Sequence, residues 1–328
     1  MLYEKRRHPR AKACGEGLLP HGVVALQSLV GLPAVPRVRG LRFSAGTSTV
    51  DADFPGAPGL VVKRDRFDAW LFERAAATAN IDARPGTTFK GVAGGLLIGA
   101  DGVRSMFHRR LPGWAPRRRR VGLSTHVLGI AGLSDRVEVF FHDEGELYVA
   151  STGGGEALVS ALLDYRHARR IGMWGLIDKT PALRARVSKL ERTGPVLASA
   201  PLGLHVPRVV CDDAEGRLLL VGDAAGTPDP ISAGGLALAL SSVGPAADAI
   251  IRGHLAAYQL ERLEMGRRAN RVAGLLLGLS RSERRAALTL RYGQSVIPRL
   301  VERVVRPPAH VPWQPVSEYR SQPHPPVR

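Results

Sequence analysis

A buried strand that ends at a single acid and leads into paired glycines constrains this chain most. Residues 218–226 read Leu-Leu-Leu-Val-Gly-Asp-Ala-Ala-Gly, and Gly234 and Gly235 follow. Asp223, at the carboxyl end of the apolar run, can accept hydrogen bonds from ligand hydroxyls, and glycines let a ligand approach the backbone closely. A helix predicted over about 236–251 would direct its free N–H groups and positive dipole end at that ligand.

A second stretch has the same organisation. Residues 96–105 read Leu-Leu-Ile-Gly-Ala-Asp-Gly-Val-Arg-Ser, which predicts a strand, a turn at Asp101 and Gly102, and a short helix near 103–111. Either motif alone is typical of an ordinary βα turn. Together, in this order and spacing, the two resemble the downstream flavin fingerprints of the FAD-dependent p-hydroxybenzoate hydroxylase-like family, whose fold geranylgeranyl reductases and flavin halogenases share.

The resemblance extends to the start of the chain. Residues 2–4 resemble the family's second strand, which implies that Glu4 holds the adenosine ribose. The loop that follows would then lie along the flavin. Residues 62–71 are similar to the family's Arg-x-x-[Leu/Phe]-Asp-x-x-Leu helix start, and the resemblance covers residues 1 to about 270.

Two family segments have no match here. The family begins with an apolar strand running into Gly-x-Gly-x-x-Gly, which binds the FAD pyrophosphate, and no such segment precedes Glu4. Between residues 80 and 101, where the family has a three-stranded meander, there is room for two or three strands in all. We therefore expect the chain expressed alone to be insoluble or flavin-free, and the DNA upstream of Met1 to encode about 30 residues with the missing motif. A non-catalytic remnant is the alternative.

The composition limits the class of protein, its location and its binding partners. The chain has 328 residues with a formal charge of +17 and two cysteines, which excludes a disulfide framework and favours a reducing, cytoplasmic location. No apolar run reaches the roughly 20 residues of a membrane span. Of the 46 basic residues 40 are arginines, a bias that is more typical of a GC-rich genome than of a phosphate-binding surface. Because these arginines are also scattered along the chain, we expect no nucleic-acid binding. The arginine run at 117–120 predicts a solvated loop. Alternatively, the run binds an anionic membrane, an acidic partner or the phosphate of NADPH. For the whole chain, a basic binding module stays an alternative to the enzyme.

Short β-rich runs at 121–128, 137–141, 146–150 and 157–163 predict an antiparallel sheet of four or more strands. In the family such a sheet forms the substrate domain. Helices are predicted at 167–176 and 181–190. The histidines His126, His142 and His205 lack metal-ligand spacing, so no metal site is expected. The Trp-x-Trp-x-Ile-Pro signature of flavin halogenases is absent.

The expected fold is therefore α/β: a Rossmann-like FAD-binding domain, N-terminally incomplete, with an antiparallel substrate sheet. Its predicted ranges are 1–110 with 200–270 for the FAD-binding domain, 111–199 for the substrate domain, and 271–328 for a helical segment with a Pro/Arg-rich tail. The resemblance implies FAD as cofactor, NADH or NADPH as reductant, and a small-molecule substrate. The function expected is a flavin monooxygenase acting on an aromatic or polyketide-like molecule, or a double-bond reductase. The cofactor-binding residues implied are Glu4, Arg10, Lys12, Cys14, Gly15, Asp101, Gly102, Gly222, Asp223, Pro230, Gly234, Gly235, Leu236 and Ala237.

Overall fold

The computed structural model describes residues 1–91, 95–116, 120–199 and 203–306. Most of the arginine run, at 117–119, and the Pro/Arg-rich tail from 307 onwards lie outside the described residues. No helix in the described ranges is long and apolar enough to cross a membrane. The same ranges contain no group of three or more His, Cys, Asp or Glu side chains that could hold a metal ion.

The strands of the described residues are, in chain order, Leu2–Glu4 (β1), Gly17–Leu18 (β2), Arg37–Val38 (β3), Gly40–Ala45 (β4), Ser48–Asp53 (β5), Gly59–Val61 (β6), Ala83–Pro85 (β7), Leu96–Gly99 (β8), Ala115–Pro116 (β9), Arg120–Ile130 (β10), Arg136–His142 (β11), Gly145–Gly153 (β12), Glu156–Asp164 (β13), Val187–Arg192 (β14), Leu197–Ala198 (β15), Leu204–His205 (β16), Val210–Asp213 (β17) and Gly216–Leu220 (β18).

The α-helices are Pro20–Val30 (α1), Arg64–Ala76 (α2), Tyr165–Arg170 (α3), Gly172–Asp178 (α4), Pro181–Arg184 (α5), Gly235–Ser241 (α6), Val243–Ile251 (α7), Leu255–Leu279 (α8), Glu283–Tyr292 (α9) and Val296–Val305 (α10). Single 3₁₀ turns occupy Met106–Arg110, Gly222–Ala225 and Pro230–Ser232.

One large sheet dominates the molecule. Its order is β14-β10-β13-β12-β11-β4-β5, with β15 also paired to β10. All neighbours are antiparallel except β4 and β11, which are parallel. The short β-rich runs predicted the four central strands, β10 to β13, correctly. The sheet also includes β4 and β5, which lie in the range 1–110 that was assigned to the FAD-binding domain. The domain boundaries stay a prediction.

Smaller sheets carry the two strand-acid turns. β18 pairs in parallel with β8, so the carboxyl ends of both strands meet at one edge, and β17 closes the other side of β18. β1 pairs in parallel with β7, which is one of the two strands found where the meander was predicted to be shortened; β8 is the other. The three-stranded sheet β2-β6-β3 lies just after the N-terminal loop.

Both faces of the large sheet are covered. One face packs with α1, α8, α9 and α10 around Leu26, Phe43 and Phe141, and the other packs on α4 around Leu147, Val159 and Leu176. A third cluster surrounds β18, where the leucines at 218–220 are fully buried. Burial on both sides explains why this strand is a continuous apolar run.

Three predicted helices differ in the structure. The helix expected at 236–251 is two helices, α6 and α7, that meet at Ser242, near Pro245, which has no N–H to donate. The helix expected at 167–176 is divided at Ile171 into α3 and α4. The helix expected at 181–190 is wrong beyond Arg184, because the chain then pairs with the edge of β10 as β14, and this tertiary pairing overrides local helix propensity.

Candidate functional site

The turn that follows β18 is held from behind by a buried arginine. Arg262 of α8 is 3% exposed and donates to the carbonyl oxygen of Gly226 at 2.6 Å and of Gly222 at 3.4 Å. Both glycines have positive φ, +57° and +93° for Gly222 and Gly226, which side chains rarely adopt. Burial lowers the pKa of Arg262, while the charge of Asp223 opposes that shift. The sequence pattern found Asp223 but gave no sign of Arg262.

Asp223 itself is half-buried. Among the described residues, no side chain or backbone N–H donates a hydrogen bond to its carboxylate. A carboxylate fixed at a strand end, opposite a buried cation and with free lone pairs, can accept hydrogen bonds from a ligand.

The paired glycines open helix α6. Ala233 adopts a left-handed conformation, with φ of +52°, and turns the chain so that α6 begins at Gly235. The first N–H groups of a helix have no intrahelical acceptor, which here are those of Gly235, Leu236 and Ala237. A Cβ added at Gly235 would meet nothing within 4 Å, so this backbone is open to approach.

Helix α1 fixes the position of this helix start. A Cβ added at Gly22 would lie 2.7 Å from Cα of Ala237, so only glycine allows α1 to pack this closely on α6. Pro230, which was predicted to belong to the site, begins the 3₁₀ turn just before it and is half-buried.

The loop predicted to lie along the flavin is tied to the large sheet. The N–H of Cys14 donates to Oγ of Ser124 at 3.3 Å. Glu16 is 4% exposed with φ of +54°, an uncommon conformation for a residue other than glycine. Its Oε1 accepts from the N–H of Arg64 at 3.0 Å, and its Oε2 lies 2.9 Å from Nε2 of His126. The loop is therefore fixed both to β10 and to the first turn of α2.

Arg64 and Asp68 are the arginine and acid of the helix-start pattern. They form a two-point hydrogen bond along α2, at 2.8 and 2.9 Å. Although burial would lower it, Cys14 and Asp68 raise the pKa of Arg64. In the same loop Arg10 is half-buried, and its Nε has no partner among the described residues, whereas Lys12 and Gly15 are exposed.

The two remaining acids predicted for the cofactor already have local partners. Oε1 of Glu4 accepts from the N–H of Arg6 at 2.7 Å, and Oε2 lies 3.8 Å from His8. Oδ2 of Asp101 accepts from the N–H of Met106 at 2.8 Å, which caps the 3₁₀ turn that follows. Gly102 has φ of +83° and open space around it. The contact of Glu4 with His8 is longer than a hydrogen bond, and Oδ1 of Asp101 has no donor among the described residues. The cofactor roles of both acids remain a prediction.

A buried ion cluster near the paired glycines was not foreseen. Arg120 ends the arginine run that was predicted to be a solvated loop, but the residue is 6% exposed and its guanidinium contacts the carboxylates of Glu146 and Asp229. Oδ1 of Asp229 also accepts from the N–H of Ile231 at 3.1 Å. A strand of the large sheet is thereby linked to the turn that opens α6.

Burial shapes the protonation of this cluster. It raises the pKa of Glu146, and Arg120 opposes the shift. It also raises the pKa of Tyr148, whose hydroxyl, like Oδ2 of Asp229, has no hydrogen-bond partner in the part of the chain that the structure describes. The sequence gave no signal for these contacts, because their partners lie 26 and 109 residues from Arg120.

The comparisons with known proteins give matches in structure alone. No family model matches the chain, and no curated protein matches it in sequence. The myxobacterial chondrochloren halogenase CndH, a variant of FAD-dependent halogenases, aligns over 93% of this chain and 89% of its own with a TM-score of 0.71 and 17% identity. A geranylgeranyl bacteriochlorophyll reductase-like protein from Thermoplasma acidophilum aligns over the same shares with a TM-score of 0.70 and 20% identity. This chain has their fold.

A third similar structure, the halogenase PltM in complex with phloroglucinol and FAD, aligns over 92% of this chain and 80% of its own with a TM-score of 0.67 and 14% identity. The prediction of an α/β, Rossmann-type flavoprotein fold with a large antiparallel sheet is confirmed. At such identities the similarity carries the fold, while cofactor, substrate and site residues are matters for the proposal below.

Proposed function

We propose that this protein is an FAD-binding oxidoreductase, specifically a flavin monooxygenase that takes electrons from NADH or NADPH and adds oxygen to an aromatic or polyketide-like small molecule. The observation that carries the proposal is the arrangement around Asp223: a carboxylate without a donor, next to an open helix start, in a flavoprotein fold.

The residues present fit the ring edge and the ribityl part of FAD. Gly235 and Gly102 leave space that a Cβ would occupy. Asp223 offers lone pairs to hydroxyls, and Glu4 offers one to a ribose. No residue of the chain is assigned to the pyrophosphate, because the Gly-x-Gly-x-x-Gly pattern does not occur in the sequence. When bound, FAD would supply the redox chemistry itself.

The side chains and backbone groups of this chain would bind and orient the flavin. Asp223 would accept hydrogen bonds from ribityl hydroxyls, and the N–H groups of Gly235, Leu236 and Ala237 would stabilise negative charge at the ring edge. The loop from Arg10 to Gly15 would lie along the ring, where the large sheet, covering the same region through Ser124 and His126, would exclude water from the reacting atoms.

A double-bond reductase is the second candidate. Gly226 stands where the hydroxylase branch commonly has histidine, and Gly-Asp-Ala-Ala-Gly at 222–226 is frequent in the geranylgeranyl reductase branch. The similarity to a geranylgeranyl bacteriochlorophyll reductase-like structure agrees with this. Halogenation is disfavoured by the absence of the Trp-x-Trp-x-Ile-Pro signature. The non-catalytic remnant is the third reading, and flavin binding separates it from both.

The test is a product analysis. The protein is supplied with FAD, NADH or NADPH and a panel of aromatic and polyketide-like substrates under air, and the products are weighed by mass spectrometry. A monooxygenase consumes O₂ and yields a product heavier by one oxygen atom. A product that gains two hydrogens and no oxygen would overturn the monooxygenase in favour of the reductase. Absence of flavin binding would overturn both in favour of the non-catalytic remnant.

A further inference from the structure

The outer face of α9 combines cations with large apolar side chains. Its inner face is buried through Ala286 and Leu290. The opposite side of the helix carries three exposed arginines together with two exposed apolar residues, Leu288 at 46% and Tyr292 at 76%. The arginines are Arg284, Arg285 and Arg291. Positions three, four and seven apart share a helix face, so these side chains form one stripe.

Helix α10 repeats the arrangement. Val301 and Val305 are buried, and the opposite side carries the exposed Val296 at 50% and Leu300 at 49%. Two exposed arginines, Arg299 and Arg303, lie among them. Both helices pack on strand β5, so their inner faces meet the same strand and their outer faces both point away from it. We call these nine exposed residues of the two helices the basic outer face.

The charge of the basic outer face is uncompensated. None of its five arginines has a carboxylate within ion-pair distance in the described ranges; Arg291 lies over the ring of Tyr292 instead. The acids of the two helices are engaged elsewhere. Glu283 faces His142 and accepts from the N–H of Gly46, and Glu302 pairs with Arg306.

We propose that the basic outer face docks on an anionic lipid surface. Arginines attract the headgroups and can extend their apolar stems along the boundary, while the leucines, Val296 and the tyrosine ring enter between headgroups and acyl chains. A nucleic acid would use the arginines, but it offers nothing to the aliphatic Leu288 and Leu300. A second copy of the chain would bring two identical positive faces together, which repel. An anionic lipid surface is the partner that accommodates both the arginines and the apolar side chains of this face.

The experiment is co-sedimentation of the full chain with vesicles, either pure phosphatidylcholine or phosphatidylcholine with about one third phosphatidylserine. We expect binding to the anionic vesicles and little to the neutral ones, with a decrease as salt rises. The double variant Arg299→Gln/Arg303→Gln should bind about 25-fold more weakly, at about 5-fold per arginine. Leu288→Gln/Leu300→Gln should weaken binding about 10-fold or more without a change of charge.

A matched control makes the same charge change elsewhere. Arg166→Gln/Arg169→Gln removes two exposed arginines from α3. This variant should lose clearly less binding than the α10 pair, because its two arginines lie outside the basic outer face. Circular dichroism confirms that all variants fold.

Three results would overturn the proposal. Equal losses in the α3 and α10 arginine pairs would mean that net charge alone attracts the protein. Binding to random duplex DNA that exceeds vesicle binding and ignores the leucine substitutions would identify a nucleic-acid surface. Self-association that disappears in Leu288→Gln/Leu300→Gln would identify a second copy of the chain as the occupant.

Discussion

At the scale of single residues, Asp223 is the side chain on which flavin binding should depend most. Asp223→Ala removes the carboxylate that would accept from ribityl hydroxyls. The loss of a charge-assisted hydrogen bond should weaken flavin affinity by about 1.5–3 kcal/mol, which is roughly 10- to 150-fold. Asp248→Ala is the control, because Asp248 is exposed on α7, away from the turn. Equal affinity in the two variants, measured by flavin fluorescence, would contradict the assignment.

Asp229 shows what sequence reasoning could not supply. Its place between Pro228 and Pro230 predicts an acid in a loop, and on that basis Asp229→Ala should weaken flavin binding less than Asp223→Ala. The structure shows Asp229 4% exposed and paired with Arg120, from a distant strand. Asp223 was identifiable because an acid after an apolar run is a local pattern. The partner of Asp229 is set only by the tertiary fold.

The same cluster gives a prediction on stability. Arg120→Ala leaves the carboxylates of Glu146 and Asp229 buried without their cation, and breaking a buried pair in this way should cost about 3–5 kcal/mol of unfolding free energy. Arg42→Ala breaks the partly exposed pair with Asp51 and should cost about 1 kcal/mol or less. Urea unfolding of both variants measures the difference. Equal costs would show that the buried cluster does not stabilise the fold.

At the scale of elements, the contact of α1 with the end of α10 should respond to pH. Burial lowers the pKa of His21 to about 4, and a hydrogen bond with the backbone of Val305 opposes the shift. A histidine with a lowered pKa in the folded state favours the neutral form there. Its contribution to stability is therefore complete above the unfolded pKa of about 6.5 and is lost as pH falls towards 4.

The variant His21→Gln should remove this dependence. Between pH 6.5 and pH 4 the wild type should lose about 3 kcal/mol more unfolding free energy than the variant. His254→Gln, at an exposed histidine, should leave the wild-type profile unchanged. Denaturant unfolding at a series of pH values gives both curves. Parallel profiles for wild type and His21→Gln would contradict the burial of this ring.

The elements themselves were predictable to different degrees. Short β-rich runs broken by Gly, Asp and Ser found β10, β11, β12 and β13, because this composition is a local signal. The strand at 187–192 was predicted as a helix, since the sequence Val-Ser-Lys-Leu-Glu-Arg has good helix formers and only the free edge of β10 makes it a strand. Strands β4 and β5 joined the large sheet through the long-range parallel pairing of β4 with β11, which no local pattern indicates.

At the scale of the whole molecule, the fold was predictable from the resemblance, because two strand-acid turns and the N-terminal loop occur in family order. The candidate site was predictable only in part. The glycines and the acid of the site form a local sequence pattern that can be recognised without the structure. The groups that hold them in place, such as Arg262 behind the turn, His126 beside the loop and Arg120 behind the helix start, come from distant elements and appear only in the folded chain.

The most direct test of the central claim is a fluorescence titration of flavin with the purified chain, using riboflavin beside FAD. Because no residue is assigned to the FAD pyrophosphate, the chain is expected to purify without flavin. Added riboflavin carries the ring and the ribityl hydroxyls but no pyrophosphate, so its binding depends on Asp223 and the start of α6 alone. The account predicts saturable quenching of riboflavin that Asp223→Ala weakens at least about 10-fold and Asp248→Ala leaves unchanged. Absence of quenching with both flavins, or quenching that Asp223→Ala does not alter, would contradict it.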